Sequence, residues 1–416
     1  MKRLLLLLCL CLLPVLVLAD ATPSDLATAT DVATATDAAS PTDLPMAEDI
    51  TQQVLLNGSA SGDHVDILRD GKYKTIWESK VKGGVSSLTI TAPEGKTLGG
   101  VLINWRNAPE AIELEKPDGK GGWISMGVHD PRHFAQYYDL QGETEVRISH
   151  ANPRTKHHSL LINDLRVITP GTPPDDFQIW QDPPEKVDMM LIHGHPDDEV
   201  LWFGGLLPYY AGELHKDVLV VCTTPHMNYR RHELLNSLWM CGVRIYPEIG
   251  TFPDVIGLRM NVVMEKWGKE KILAYITEQY RKYKPDVVVT HDFNGEYGHG
   301  VHKTVAWAAT KSIPYANDPS KYSSSYKEYG LWEIPKVYVH LYEENMIEMD
   351  WTSPLDFFDG RTALEIAADA FQCHASQQNR GWFVRDHGEY DNALFGLYHT
   401  LVGPDVKGGD MFENLE

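Results

Sequence analysis

From residue 186 onward, apolar and polar positions alternate in blocks rather than singly. Near-continuous apolar runs fall at 186–193, 217–224 and 286–291, and a further one, "KVYVHLY", at 336–342. Runs of that length and character fit strands covered on both faces of a parallel sheet. Between and after them lie stretches with helical spacing at 200–213, 230–241, 262–283, 301–313 and 361–378. Strand–helix alternation with short connections predicts an α/β domain over 186–416, built on a doubly wound, mainly parallel sheet. In such sheets ligands bind outside the carboxyl ends of the strands.

Residues 49–168 have a different pattern. Short β-rich stretches at 86–90, 100–105, 111–114, 145–148 and 159–168 recur between glycine, proline and aspartate turn signals, without helical period. They predict an all-β sandwich. "TPGTPPDD" (169–176) makes residues 169–185 a linker. Residues 22–48 hold almost no large apolar side chain, and "ATATD" occurs twice in them. Such a segment cannot offset its ordering entropy by burial and reads as disordered. Residues 1–21 combine a basic start, a leucine-rich run and an Ala-x-Ala end, the pattern of a secretory signal peptide. The expected product is secreted or held at the cell surface, with no membrane span once the signal is removed.

Composition changes this picture in two places. A formal net charge of -21 excludes nucleic acid and anionic membrane surfaces as general partners. Outside the signal segment only Cys222, Cys241 and Cys373 remain, too few and too widely spaced for a disulfide scaffold. Cys373 stands beside His374, which raises a nucleophile reading that nothing around it supports.

The chemistry gathers at two strand ends. "HPDDE" (195–199) closes the 186–193 run. His195 and Asp198 are three apart where a helix starts, so they face the same way and can meet one ion. Asp197 between them points elsewhere, free to work beside the ion, and Glu199 helps fix the helix start. "THDFNGEYGHGVHK" (290–303) closes the 286–291 run, with His299 and His302 again three apart. One ligand from this loop completes a site of two histidines and one carboxylate, the type of catalytic zinc with an open position for water.

These residues resemble the PIG-L/LmbE-type zinc de-N-acetylases. The likeness rests on "IHGHPDDEVLWFGGLL" (192–207), "VLVVCTT" (218–224), "RRHELLNSLWMCGV" (230–243), "FPD" (252–254) and "PDVVVTHDFNGEYGHGVH" (285–302), and covers roughly 185–400. It implies a Rossmann-like fold and one Zn2+ per chain on His195, Asp198 and His302, although iron or cobalt suits the same donors. It implies Asp197 as general base and His299 as the group that stabilises the oxyanion or protonates the leaving amine. Arg230, Arg231 and Asp254 fall where the family contacts the sugar; the plain alternative for the arginines is a helix-surface pair with Glu233. The implied substrate is an N-acetylated amino sugar of a glycan or glycoside. "CHASQ" (373–377) and "FGLYHTLVGPD" (395–405) resemble exported bacterial members. Where the family often has "GHPDH" this chain has "GHGVH", so Gly300 and Val301 replace a proline and an acid that tunes the neighbouring histidine in some members; Asp292 or Glu296 is the candidate replacement.

The first domain resembles a galactose-binding-like, discoidin-type jelly roll, in "LRDGKYKTIWES" (68–79), "LGGVLINW" (98–105), "GGWISM" (121–126), "EVRISH" (145–150) and "LLINDLRVI" (160–168). Trp77, Trp105 and Trp123 either form a sugar-stacking platform or pack the sandwich, and packing is the reading taken. Two competing functions stand beside the deacetylase: a metal hydrolase of another amide or ester, and a non-catalytic glycan-binding protein.

Overall fold

The computed structural model describes residues 44–59, 64–79, 86–151, 159–225 and 227–415. The signal segment and nearly all of the 22–48 linker lie outside them. Residues 45–416 form one compact unit.

The sandwich has strands β1 (Leu55–Gly58), β2 (Trp77–Glu78), β3 (Ser87–Thr91), β4 (Leu98–Asn107), β5 (Ile112–Pro117), β6 (Trp123–His129), β7 (Ala135–Glu143), β8 (Glu145–His150) and β9 (Leu161–Ile168). They pair antiparallel in two sheets, β1-β3-β8-β5-β6 and β2-β9-β4-β7. Alternate residues point inward, as period-2 patterning requires. Leu88 and Ile90 of β3 and Val146 and Ile148 of β8 meet Val101, Ile103, Leu165 and Val167 of the facing sheet in one core. Trp77 and Trp105 are 3% and 0% exposed in this core, so neither offers a face to sugar. Trp123 is half-buried on the edge strand, with the Arg147 guanidinium 4.4 Å from its ring centre.

The second domain has strands β10 (Met189–His193), β11 (Val218–Cys222), β12 (Glu248–Ile249), β13 (Val287–Thr290), β14 (Lys336–His340), β15 (Met346–Glu348), a small hairpin of β16 (Pro354–Leu355) and β17 (Arg361–Thr362), and β18 (Leu394–Thr400). The sheet order is β12-β11-β10-β13-β14-β18-β15. The first five strands are parallel and the last two pairings antiparallel. The order reverses direction at β10, which has β11 on one side and β13 on the other. The crevice outside the carboxyl ends of β10 and β13 is therefore the switch point where α/β sheets take ligands.

Helices α1 (Asp198–Leu201), α2 (Asn228–Met240), α3 (Met260–Trp267), α4 (Lys269–Tyr283), α5 (Gly300–Ala316), α6 (Ser323–Tyr329) and α7 (Ala363–Gln372) complete the domain. Met189 and Leu191 of β10 face one apolar cluster with α2 and α7; Met190 and Ile192 face another with α3, α4 and α5. Each such fully buried side chain contributes about 1.5–3 kcal/mol. Three expected helices differ. The 200–213 stretch is helical only to Leu201, unwinds at Gly204 (φ +50°), and resumes as a π-helical turn over Pro208–Glu213. The 262–283 stretch breaks at Gly268 (φ +80°), which only glycine adopts readily. The last helix starts on a Thr362–Glu365 capping box and stops at Gln372 rather than 378.

Both linker boundaries need correction. Ala47 N donates to Thr172 O (2.8 Å) and Thr169 N to Glu48 O (3.0 Å), so residues 45–48 are stitched to the sandwich. Residues 169–185 form a packed strap: Phe177 and Trp180 are buried, and Gln181 N donates to Arg244 O (2.9 Å). Hydrophobic composition, low near the prolines, hides the few side chains that anchor it. Among the described residues no helix is long and apolar enough to cross a membrane.

Candidate active site

Two loops build the site, one after β10 and one after β13. In the first, Asp197 takes φ +113°, a conformation sparsely populated by non-glycine residues. Two contacts hold it there. Its N–H donates to Glu199 Oε2 (2.8 Å), and its Oδ1 accepts from Arg230 Nη2 (3.0 Å). Arg230 also donates to the Pro196 carbonyl. Glu199, fully buried, accepts on Oε1 from Ser237 Oγ (2.7 Å) and His374 Nε2 (2.6 Å). Burial raises the Asp197 pKa against the pull of the Arg230 guanidinium, and the neighbouring Asp198 charge raises it further. A carboxylate so placed is a better proton acceptor near neutral pH than one in water.

His195, Asp198 and His302 converge. His195 Nδ1 lies 3.2 Å from Asp198 Oδ2 and 3.3 Å from His302 Nε2, and His302 Nε2 lies 3.4 Å from Asp198 Oδ1. In a tetrahedron with metal–ligand bonds of about 2.0–2.1 Å, donors stand about 3.3 Å apart. The two ring nitrogens stand at that spacing from one another, and each approaches a different oxygen of the Asp198 carboxylate, His195 on Oδ2 and His302 on Oδ1. The outer ring nitrogens are tied down: His195 Nε2 donates to Asp254 Oδ1 (3.2 Å) and His302 Nδ1 to Glu296 Oε2 (2.7 Å). These bonds put a proton on each outer nitrogen, and the inner nitrogens face the carboxylate. A cation held there would take one lone pair from each inner nitrogen, with Asp254 and Glu296 fixing which nitrogen that is. Burial opposes the Asp198 charge, yet the His302 and His195 rings hold its carboxyl well below the usual range. Trp202 Nε1 donates to its Oδ1 (2.9 Å) and His195 N to its Oδ2 (2.7 Å), fixing its plane.

Among the described residues, the groupings of three that bring one ligand atom each within 4.8 Å of one another are His195, His299 and His302, and Asp198, His291 and His302. His291 is excluded as a ligand by its own bonds. Gly194 N donates to His291 Nε2 (2.9 Å), and His291 Nδ1 donates to Glu296 Oε2 (2.8 Å). His299 stands beside the triangle, its ring centre 4.9 Å from those of His195 and His302. Its Nδ1 has no partner among the described residues, and burial with the two flanking imidazoles lowers its pKa to about 3.

Glu296 was foreseen only as a replacement acid for His299. It does other work. Fully buried, it accepts from His291, His302 and, on Oε1, from His340 Nδ1 (2.7 Å) at the end of β14. Gly300 donates its N–H to Gly257 O (2.8 Å), and a Cβ there would come within 3.0 Å of Arg259 C and Gly257 O. Proline would lose that bond, so the departure from "GHPDH" goes with the close packing of the loop that carries Asp254. Val301 is 0% exposed in the core, no place for an acid.

The expected sugar contacts divide. Arg230 holds Asp197. Arg231 lies outside the site, its guanidinium 3.5 Å from the centre of the Phe134 ring in the sandwich. Neither reaches Glu233, which accepts instead from Ser376 N and Oγ (3.0 and 2.6 Å). Asp254 is the orienting partner of His195. Cys373 is no nucleophile: burial pushes its thiol up to about 11, and His374 is spent on Glu199. Trp202, Tyr297, Trp382 and Tyr390 form an aromatic wall beside His302, with Trp202–Trp382 and Tyr297–Trp382 centres 5.3 and 4.9 Å apart. The sequence reading passed over His291, His340 and this wall. His340 had a usable signal, since it too ends a strand of the parallel sheet.

Residues 190–313 match the family described as PIG-L: GlcNAc-PI de-N-acetylase. A relative from Catenulispora acidiphila, named 1D-myo-inositol 2-acetamido-2-deoxy-alpha-D-glucopyranoside deacetylase 1, is 27% identical over 255 residues, 54% of this chain and 71% of its own length. Among solved structures, the N,N'-diacetylchitobiose deacetylase from Pyrococcus horikoshii aligns over 47% of this chain and 72% of its own, with 20% identity and a TM-score of 0.34. CpGH89CBM32-6 produced by Clostridium perfringens aligns over 29% of this chain and 98% of its own, with 15% identity and a TM-score of 0.24. The matched segment runs from β10 through most of α5 and so contains both loops that build the site.

Proposed function

We propose that the protein is an exported, zinc-dependent hydrolase that removes acetyl groups from N-acetylated amino sugars of a glycan or glycoside. The observation that carries this reading is the convergence of His195, Asp198 and His302, with contacts of 3.2, 3.3 and 3.4 Å among them and Asp197 beside them. The names of the matched family and of the Catenulispora relative support an acetamido sugar as the substrate class. The export reading rests on residues 1–21, and zinc on the donor set of two imidazoles and one carboxylate.

A divalent cation held by His195, Asp198 and His302 supplies Lewis acidity, polarising a carbonyl oxygen and acidifying water. The chain's own groups do the rest. Asp197 takes a proton from the attacking water, and Arg230 keeps the carboxylate aimed while it does so. His299, neutral at pH 7, donates an N–H to the oxygen that gains charge as the amide carbon becomes tetrahedral. Asp197, now protonated, passes its proton to the departing nitrogen when the C–N bond breaks. The products are acetate and a free amino sugar. Buried carboxylates and the aromatic wall keep bulk water from competing for these protons.

The test is acetate release from N-acetylglucosamine oligomers, with and without a chelator, beside Asp197→Ala. Release that disappears in both controls supports the reading. Bound zinc with no release across a panel of amino sugars transfers the site to another amide or ester.

A further inference from the structure

Helix α2 has two polar faces, and they look in different directions. Residues 230, 233 and 237, spaced i, i+3 and i+7, serve the PIG-L site: Arg230 holds Asp197, Glu233 holds Ser376, and Ser237 holds Glu199. Residues 228, 232 and 236, spaced i, i+4 and i+8, face the sandwich. Asn228 Nδ2 donates to Arg106 O (3.2 Å), His232 stacks on Tyr73 (4.8 Å), and Asn236 Nδ2 donates to Tyr73 Oη (2.9 Å).

Arg231 completes this second face. Its Nη2 donates to Arg106 O (2.7 Å) while its guanidinium lies on Phe134. It is 8% exposed, and among the described residues no carboxylate pairs with it. A charge buried on a carbonyl and a ring face fixes a geometry, because any displacement leaves it unsatisfied. Phe134 is held in turn. Its N–H donates to Tyr246 Oη (2.8 Å), and the adjacent His133 stacks on Tyr246 at 3.9 Å and meets Asp182 at 3.0 Å. Beneath these contacts Leu102, Ala135 and Ile168 of the sandwich share one apolar cluster with Leu234, Leu235 and Leu238 of α2. A tethered glycan-binding module requires no such contact with its enzyme, since linked domains move relative to one another unless their interface is large and apolar.

Both supports of the Asp197 conformation depend on α2. Arg230 is on the helix, and Glu199 is held by Ser237 of the same helix. We propose that the β-sandwich is a positioning element for Asp197, acting through α2. This rests on the hydrolase reading above.

The experiment uses the full chain with Phe134→Ala and Arg231→Met. The expected result is a fall in kcat for acetate release of about 10- to 100-fold, the cost of slight misplacement of a reacting group. KM should stay within about 2-fold, since no ground-state contact to substrate is removed. Bound metal per chain is unchanged, because no ligand is touched. Phe134→Trp, which keeps an aromatic face under Arg231, restores most of the rate. Amide hydrogen exchange at 197–201 and 228–233 quickens in Phe134→Ala. A kcat retained within about 2-fold, or a fall matched by loss of metal, overturns the proposal. If the unaltered protein releases no acetate, the hydrolase reading fails and exchange alone decides: unchanged protection at 197–201 in Phe134→Ala then overturns the coupling.

Discussion

Glu199 and Glu296 are both fully buried, and both bind histidine, yet they serve opposite halves of the site. Glu199 supports the base. It holds the Asp197 backbone on one oxygen and is braced by Ser237 and His374 on the other. Glu296 supports the cation. It places the outer proton of His302, steadies His291 and reaches His340 on the neighbouring strand. One carboxylate controls where a backbone goes; the other controls which nitrogen of a ring is free. Removing each should therefore give a distinct kinetic signature, although both are equally buried.

The most damaging change breaks the first half outright. Asp197→Ala should lower acetate release by about 10²–10⁴-fold, the usual worth of a positioned acid–base group, with the metal still bound. Next comes Glu296→Gln. Its metal dissociation constant, measured against a competing chelator, should rise about 10–100-fold, as expected when an outer-shell partner is lost. Glu199→Gln should cost about 10-fold in kcat through misplacement of Asp197 and leave metal affinity unchanged. Metal loss in Glu199→Gln, or intact metal affinity in Glu296→Gln, would erase the distinction between the two. At the small end, Cys373→Ser should leave kcat within about 2-fold, since a thiol with so high a pKa is not the nucleophile.

The same contrast explains what was legible in the sequence. "HPDDE" reads directly because its groups are consecutive and sit where a strand gives way to a helix, so local geometry determines which of them meet. His302 reads nearly as well, through its spacing from His299. Glu296 was visible as an acid, but not as a hub, because its third histidine comes from 44 positions away on β14. Arg230 and Arg231 are neighbours in the chain and point to different domains; one residue step along a helix separates their directions by about 100°. Nothing local says which face meets the sandwich. The strap at 169–185 was misread for the opposite reason. Its five prolines dominate its composition, while Phe177 and Trp180 dominate its energetics. In the sandwich, short β-rich runs between turn signals located β3, β4, β5, β8 and β9 but not β7, and the burial of Trp77 and Trp105 follows from where their strands face the core rather than from any property of tryptophan.

The backbone of Asp197, held at φ +113°, sets a conflict between durability and catalysis. Only glycine occupies such a conformation freely, and other residues bear about 1–3 kcal/mol there. Asp197→Gly should accordingly melt above Asp197→Ala, even after the greater freedom of glycine in the unfolded chain takes back up to about 1 kcal/mol. Both variants lack the proton acceptor, and both leave Arg230 without its carboxylate. A screen of this position for heat resistance or soluble yield would thus rank glycine ahead of other non-acidic residues and drift toward a sturdier, silent protein. Only selection on turnover keeps the aspartate in place.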